Sequence, residues 1–522
     1  MTSRWPFNRF PTNPWDLASL AAAAVPALFI AAMFLTSPIV PPGADSAHHA
    51  TFAKDILESQ RAFVAYSQFP AGGPMFEYPS LFDLSVALLV AGSGADLLLI
   101  VEVYVVILAV LSPIVMWRFL RRFFGGGPRD AFIAVAFVAL NWFVLAKTVR
   151  DGSYGELLAA GVMFPLWLSF LWDRRDLLAA GTLFAIVLTH NLTALLAFGT
   201  FVALLLYYAL ERQWTRIRRT VITHGAILGI TAIILWPVYA SYLFPVTSGI
   251  AGGFPVIDLF SYTVIISPVL FVIGGLGLGL LVRRSPGQFA GLWAAAFAAL
   301  SRTSFASERI AREMSIPFAV GAAGLVIGLV GAQRTGRIDR RARRVLPLFV
   351  VVVLTAANGL WGLASNTDPA ALHYLEPYQL EAYRWLSSHS NSSEAVLALA
   401  SVDPFLSVFV PNDVFPVVNL HQADRLSKPD RDMDIALVQA LFNYTDTGLR
   451  GVFSANRIHW VVLSSPFPSP TWIAPEDIPF IQQAWDLRLD SDPGFMLRYS
   501  VTDVHGSATR VFEIISSGGA GP

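Results

Sequence analysis

The stretch that decides the fold is an apolar run followed by a polar cluster: LASLAAAAVPALFIAAMFLT (residues 17–36), SPIVPPG (37–43) and ADSAHHA (44–50). An uncharged run of this length crosses the hydrocarbon core of a bilayer as a helix. The carboxylate of Asp45 and the imidazoles of His48 and His49 then follow where this helix leaves the membrane. Because no small-x-small cleavage site comes after the run, the sequence predicts a retained membrane anchor rather than a signal peptide.

The composition extends this prediction to the whole chain. Of the 522 residues, 55% are hydrophobic and 14% are charged, whereas a soluble domain carries about 25% charged residues. The sequence therefore predicts an integral membrane protein. The formal net charge is zero, and no basic patch indicates nucleic acid as a partner. The chain contains no cysteine, which excludes disulfides, thiolate catalysis and cysteine-based zinc sites.

Apolar runs of similar length recur along the chain. Together with the first they predict a polytopic α-helical membrane protein with about eleven spans: 17–36, 96–117, 130–147, 155–172, 177–189, 192–210, 220–243, 261–282, 288–301, 314–332 and 345–363. The segment from Pro79 to Val90 is too short to cross the membrane, so we expect it to form a hairpin arm or an interfacial helix.

The arginines predict the orientation, because basic residues remain on the cytoplasmic side of a membrane. Alternate loops are rich in arginine, and the loops between them are nearly free of it. This pattern places the N-terminus inside and the C-terminus outside in a multi-pass protein of the cell (plasma) membrane. The outer side then carries residues 37–95, 148–154, the turn at His190, 244–260, 302–313 and the C-terminal tail.

The hydropathy falls after residue 365, which predicts two domains. Residues 1–365 form the membrane domain, and residues 366–522 form an extracytoplasmic α/β domain. Helical periodicity and strand-like runs alternate in the second domain. Helices are expected at 376–387 and 432–442, and strands at 395–400, 460–464, 495–501 and 510–515.

The polar cluster after the first span is the first candidate for chemistry. If residues 45–62 form a helix, Asp45 shares one face with His48 and His49. Asp45 can act there as a general base on an acceptor hydroxyl. Alternatively, Asp45 and His48 bind a divalent cation, Mg²⁺ or Mn²⁺, that holds a phosphate. Asp45 could equally be only a helix cap, and we interpret His49 as structural.

Two further polar clusters occupy predicted outer turns. In Arg150-Asp-Gly-Ser-Tyr-Gly-Glu156, the carboxylates of Asp151 and Glu156 are functional candidates because a carboxylate at a membrane surface is costly. The alternative is a tight turn closed by Arg150 and Asp151. In Thr189-His-Asn191, His190 either contacts a lipid head group or belongs to a hydrogen-bonded turn.

The outer loop 302–313 keeps three arginines, Arg302, Arg309 and Arg312, against the trend of the other loops. Arginine suits phosphate because its planar fork donates two hydrogen bonds at once, so the loop predicts an anion site. The alternative is local pairing of Glu308 with Arg312.

The short segment before residue 81 is a further candidate. Tyr78 fits the aromatic belt of a membrane surface, and Glu77 could line a site.

The order of these motifs resembles the GT-C membrane glycosyltransferases. This superfamily includes the protein mannosyltransferases, the aminoarabinose transferases of lipid A and the mycobacterial arabinosyltransferases. The resemblance rests on an acidic first outer loop, Tyr78-Pro-Ser-Leu81, a second acidic loop, and an arginine loop before Ser315-Ile-Pro317. A trailing domain with the strand Ile458-His-Trp-Val-Val-Leu463 completes it. Two pieces, Gly155-Glu-Leu157 and Thr189-His-Asn191, look closest to uncharacterised members labelled as 6-pyruvoyl-tetrahydropterin synthase-related, although no residues here suit pterin chemistry.

The resemblance implies a function and assigns roles. The family takes its sugars from polyprenyl-phosphate donors and transfers them on the extracytoplasmic face with inversion. Its donor is a lipid-linked sugar, and its acceptor is a glycan, lipid or protein. By position, Asp45 is the general base, Asp151 or Glu156 the second acidic site, and Arg302 or Arg309 the phosphate ligand. Arg312, His48, Glu77, Tyr78 and His190 would complete the substrate site.

Two rival functions remain open at this point. A transporter or flippase of a lipid-linked glycan predicts charged residues in mid-span and repeated halves, whereas the candidate charges of this chain cluster at one face. A non-catalytic assembly protein of the cell envelope predicts that Asp45→Asn leaves function intact.

Overall fold

The computed structural model describes residues 13–36, 40–41, 44–61, 81–125, 127–139, 153–250, 265–283, 285, 287–302, 310, 313–332, 352–353, 356–357, 375–398, 405–416, 451, 453–465 and 478–515. The chain forms two compact units. The first comprises residues 1–36 and 102–369, and the second comprises residues 37–101 and 370–522. The segment after the first helix thus belongs with the C-terminal residues, and the boundary at residue 365 stays a prediction.

Helices account for the described chain up to residue 332. In order they are α1 (Pro14–Thr36), α2 (Ala44–Ser59), α3 (Leu81–Ser93), α4 (Leu97–Phe123), α5 (Pro128–Ala139), α6 (Tyr154–Trp172), α7 (Asp176–Val187), α8 (Asn191–Leu210), α9 (Trp214–Ile250), α10 (Pro268–Leu281), α11 (Gly287–Ser301) and α12 (Ser315–Ala332).

Apart from α2 and α3, these helices overlap the predicted apolar runs. Residues 140–147 and almost all of the run 345–363 lie outside the described residues. Among the described helices, α4, α6 and residues 192–210 of α8 are long and apolar enough to cross a membrane. Five shorter apolar helices accompany them: α3, α7, α10, α11 and residues 315–328 of α12. The count of eleven spans and the orientation stay predictions.

Ion pairs gather at one end of the first unit. Asp16 at the start of α1 pairs with Arg121 at the end of α4 at 3.1 Å. Asp176 at the start of α7 pairs with Arg219 in α9 at 2.7 Å, and Arg122 pairs with Asp173. The arginine-rich helix ends therefore lie together, as the alternation of the loops requires.

Glycines let α10 and α12 pack closely in the same unit. A Cβ atom on Gly277 would overlap the backbone carbonyl of Gly321, and one on Gly274 would overlap the carbonyl of Phe318. Small residues at such crossings let the backbones of membrane helices approach. The helix pair therefore depends on the absence of these side chains.

We expect Gly277→Ala to destabilise the first unit by about 1–3 kcal/mol, because the new methyl group overpacks the crossing. Unfolding in mixed detergent micelles measures this change. Gly279→Ala is the matched control, since no atom lies within 4 Å of its Cβ position. An alanine there should be neutral or slightly stabilising, because alanine is the better helix former. Equal effects of the two substitutions would contradict the packing argument.

The second unit contains a five-stranded sheet in the order β2-β1-β3-β5-β4. Its elements in chain order are α13 (Pro377–His389), β1 (Ala395–Ala398), α14 (Leu406–Phe409), β2 (Asp413–Pro416), β3 (Ile458–Ser465), α15 (Ile478–Ser491), β4 (Phe495–Thr502) and β5 (Ala508–Ile514). Strands β2, β1 and β3 are parallel, and β5 and β4 add antiparallel to β3. The α/β character of residues 366–522 is thereby confirmed, while the predicted helix 432–442 lies outside the described residues.

The core of the second unit includes residues from both of its segments. Val40 and Ala47, near and within α2, are buried with Tyr383, Phe405 and Trp460 of the C-terminal residues. The helix that carries Asp45 is thus part of the same packed body as the sheet.

Candidate functional site

Helix α2 carries the first predicted cluster, and it begins at Ala44. This start places Asp45 inside the first turn rather than at the residue before the helix. A carboxylate is favoured there because the free N–H groups of a helix start carry partial positive charge. The side chain of Asp45 itself lies outside the described part of the structure.

His49, one turn after Asp45, makes a buried ion pair. Its Nδ1 atom lies 2.7 Å from Oδ1 of Asp83 in α3, and the two side chains are 6% and 1% exposed. Burial raises the pKa of Asp83, and the neighbouring His49 opposes that rise. The pair gives His49 a structural partner and fixes α2 to α3. Asp83 was missed from the sequence, although an aspartate in a short apolar helix is itself a signal.

Asp83→Asn and His49→Ala should each destabilise the second unit by about 3–5 kcal/mol, since each leaves a buried group without its charged partner. Thermal unfolding of the full chain in detergent measures this loss. His48→Ala is the matched control, because the adjacent His48 is only half-buried. An equal loss in all three variants would show that the pair has no special role.

His48 lies against Phe52, with ring centroids 6.3 Å apart. One of the two interpretations of the cluster has His48 bind a divalent cation together with Asp45. Within the described ranges, no group of three or more His, Cys, Asp or Glu side chains could hold a metal ion. His49 is engaged by Asp83. The cation therefore stays a prediction.

Lys54 joins α2 to the C-terminal residues. Its Nζ atom donates to the carbonyl oxygens of Ser407 at 2.9 Å and Val410 at 2.6 Å. Thr51, one turn earlier, lies 2.8 Å from the Ser407 hydroxyl, Oγ to Oγ. Burial lowers the pKa of Lys54, and the nearby carboxylates of Glu58 and Asp55 oppose that change. No local pattern in the sequence pointed to this contact.

Glu156 is the one predicted acidic residue of the second cluster whose side chain the structure describes. It is 3% exposed, and its Oε2 atom has no hydrogen-bond partner among the described residues. A buried carboxylate oxygen without a partner is unusual, because desolvating it costs free energy. The position thus favours an occupant that the described side chains do not supply.

The backbone after Glu156 is also unusual. Residues Leu157–Met163 form a π-helical segment before α-helical geometry resumes at Phe164. The wider turn brings Gly161 against α4, where a Cβ atom would lie 3.1 Å from the Ser112 hydroxyl. Such segments are rare and occur frequently at functional sites. The buried carboxylate and the π segment therefore mark the same end of α6.

His190 caps α8. Its Nδ1 atom accepts from the backbone N–H of Thr193 at 3.3 Å and lies 2.9 Å from the Thr193 hydroxyl. The residue is buried, at 4% exposure. The turn is therefore hydrogen-bonded, as one of the two interpretations requires.

Arg302 follows the end of α11 and is exposed. Helices α8 and α11 run antiparallel, because Tyr207 bonds Ser285 at 2.7 Å near one end, and Gly199 packs against Leu300 farther along. The cap at His190 and the exposed Arg302 thus lie toward the same end of this helix pair. This end is opposite to the ion pairs of Asp16 and Asp176.

The other predicted site residues lie outside the described residues: Glu77, Tyr78, Asp151, Arg309 and Arg312. The convergence of the acidic and basic clusters therefore stays a prediction.

Comparison with known proteins gives fold-level matches only. No protein-family model matches the sequence, and no curated protein matches it. Among solved structures, the arabinofuranosyltransferase AftD from Mycobacteria is similar with a TM-score of 0.59 at 16% identity, over 95% of this chain. ArnT from Cupriavidus metallidurans bound to undecaprenyl phosphate is similar with a TM-score of 0.52 at 14% identity. Its apo state gives a TM-score of 0.51.

The two relatives differ in extent. The match covers 98% of the ArnT chain but only 40% of the AftD chain, so this chain spans about two fifths of AftD. The likeness to pterin synthase-related members is not shown by these matches and stays a prediction. Over 95% of its length the chain shares the fold of these two solved structures.

Proposed function

We propose that this chain is a membrane glycosyltransferase that moves a sugar from a polyprenyl-phosphate donor to an acceptor on the extracytoplasmic face. The observation that carries the proposal is the GT-C fold, matched over 95% of this chain and 98% of ArnT, whose structure holds undecaprenyl phosphate. The donor class fits the setting, since a lipid-linked phosphate reaches a site at the membrane surface without leaving the bilayer.

The chemistry follows from the residue types. Asp45 takes the proton from the acceptor hydroxyl or amide as its oxygen or nitrogen attacks the anomeric carbon of the donor. The bond from that carbon to the phosphate oxygen breaks, and the lipid phosphate leaves with the bonding electrons. Attack opposite the leaving group inverts the anomeric centre. Arg302, Arg309 and Arg312 are proposed to stabilise the leaving phosphate.

The second acidic site is proposed to be Asp151 or Glu156. The unpartnered Oε2 atom of Glu156 supports Glu156 as the one that binds substrate, because a substrate donor would satisfy that oxygen. His48, Glu77, Tyr78 and His190 are proposed to line the same site. A divalent cation near Asp45 and His48 remains part of the proposal, and no step above depends on it.

The two rival functions differ from the proposal because neither cleaves the donor. A flippase moves the intact donor between leaflets, and an assembly protein neither moves nor cleaves it. Within the first unit, Glu156, His190 and Arg302 lie toward one end of the helices, which supports chemistry over passage.

The test uses the full chain reconstituted in vesicles with an undecaprenyl-phosphate-linked sugar. We expect release of free undecaprenyl phosphate that depends on an added acceptor. Movement of intact donor to the other leaflet without release would support the flippase instead. If a range of sugars and acceptors gives neither release of lipid phosphate nor movement of the donor, the assembly protein is favoured.

A further inference from the structure

The second unit places a contact between α2 and α14 that the chemistry above does not use. Thr51 and Lys54 are three residues apart, so they share one face of α2. Ala47, four residues before Thr51, lies on that face too and is buried in the core of the second unit. This face therefore rests on the C-terminal residues over about two helical turns.

The contact includes specific hydrogen bonds as well as packing. Lys54 Nζ reaches the carbonyl oxygens of Ser407 and Val410, at 2.9 and 2.6 Å. Ser407 belongs to the four-residue helix α14 (Leu406–Phe409) and Val410 directly follows it, and carbonyls at a helix end lack intrahelical donors. A lysine is suited to such an end because it donates several hydrogen bonds from one charged atom. Lys54 and the end of α14 thus satisfy each other.

The position of the contact relates it to Asp45. Thr51 lies six residues after Asp45 in one continuous helix, which corresponds to about 9 Å along the axis. On a second side of α2, His49 is tied to Asp83 at 2.7 Å. A helix held on two sides so close to its first turn has little freedom to tilt or rotate there. The place of Asp45 therefore depends on partners far along the chain.

We infer that Lys54 is a positioning residue for sugar transfer, and that the C-terminal α/β residues serve to hold α2 in place through α14. The inference rests on the proposed function, in which Asp45 is the general base. It assigns the C-terminal part of the chain a task in the reaction without any contact to substrate. Misplacing a catalytic group by about 1 Å costs about 100-fold in rate.

The first test compares Lys54→Met with Lys54→Arg and with the wild type. Lys54→Met should lower kcat by about 10- to 100-fold with little change in KM for the donor, because the residue acts on geometry and not on binding. The amides of residues 44–59 should exchange hydrogen faster, since the helix loses its fixed point. Lys54→Arg keeps donors at the two carbonyls and should recover part of the rate.

Arg457→Met is the matched control. Arg457 belongs to the same unit, donates to the carbonyl of Ser393 and pairs with Asp413 at 3.2 Å. Its described partners lie outside α2, so its loss should leave both kcat and exchange in α2 unchanged. If Arg457→Met lowered kcat as much as Lys54→Met, general destabilisation would explain the loss, and the inference would be wrong.

A disulfide provides the second test, and the chain suits it because it has no cysteine. The hydroxyls of Thr51 and Ser407 lie 2.8 Å apart, so these two positions are chosen for the cysteine pair. In a Lys54→Met background, Thr51→Cys with Ser407→Cys should restore kcat under oxidising conditions and lose it again on reduction. If the disulfide restores slow hydrogen exchange in α2 but kcat stays low, Lys54 acts by another route, and the inference is overturned. If the wild type releases no lipid phosphate, the proposed function fails, and hydrogen exchange alone still reports whether Lys54 holds α2.

Discussion

Asp45→Asn is expected to lower the rate of sugar transfer by about 100- to 10,000-fold, the range that a positioned general base contributes. Asparagine keeps the shape of the side chain but cannot accept the proton of the acceptor. Binding of the donor should change little, because in the proposed mechanism the carboxylate acts on the acceptor. The measurement is release of undecaprenyl phosphate at saturating donor and acceptor.

The control for this substitution is Glu211→Gln. Glu211 is exposed at the end of α8, toward the ion-paired end of the first unit, and it undergoes the same exchange of a carboxylate for an amide. Its rate should equal that of the wild type. Full activity of Asp45→Asn with normal membrane insertion would remove Asp45 from the mechanism.

Glu156→Gln is expected to lower transfer by about 10- to 100-fold and to leave the protein equally stable or more stable. A hydrogen bond from a substrate donor to a carboxylate contributes about 1.5–3 kcal/mol, and the amide forfeits most of it. The folded protein, in contrast, no longer has to bury a carboxylate with an oxygen unpaired among the described residues. Rate and stability should therefore change in opposite directions.

Two measurements on the same variant separate the possibilities. Unfolding in mixed micelles gives the stability, and the transfer assay gives kcat. If Glu156 were only structural, the substitution would lower stability and leave kcat of the folded fraction unchanged. If Asp151 is the second acidic residue, the larger loss of activity should appear in Asp151→Asn.

The sequence predicted the helices of the first unit well, because the signal for a membrane helix is local. An apolar run such as Leu192–Leu210 needs no distant partner to be recognised. The sequence also predicted strands β1, β3, β4 and β5 from their strand-like runs. Strand β2 (Asp413–Pro416) was missed, since aspartate and proline are poor strand formers and its structure depends on pairing with β1.

The features around the candidate site were harder to predict because they join residues far apart. His49 and Asp83 are 34 residues apart, so the pattern of α2 alone could suggest only that His49 is structural. The π-helical segment after Glu156 is a backbone geometry that no residue pattern specifies. The contacts of Lys54 depend on backbone carbonyls, which every residue carries, and so have no signature in the sequence.

The contact between α2 and α14 also orders events during synthesis. Thr51 and Ser407 are 356 residues apart, and a ribosome making 5–20 residues per second needs roughly 20 to 70 s to add that length. Throughout this interval the newly made helix bears Asp45 without the partner that fixes it. Chains that terminate early would reach the membrane without the contact between α2 and α14. Activity therefore requires synthesis of the chain at least as far as α14.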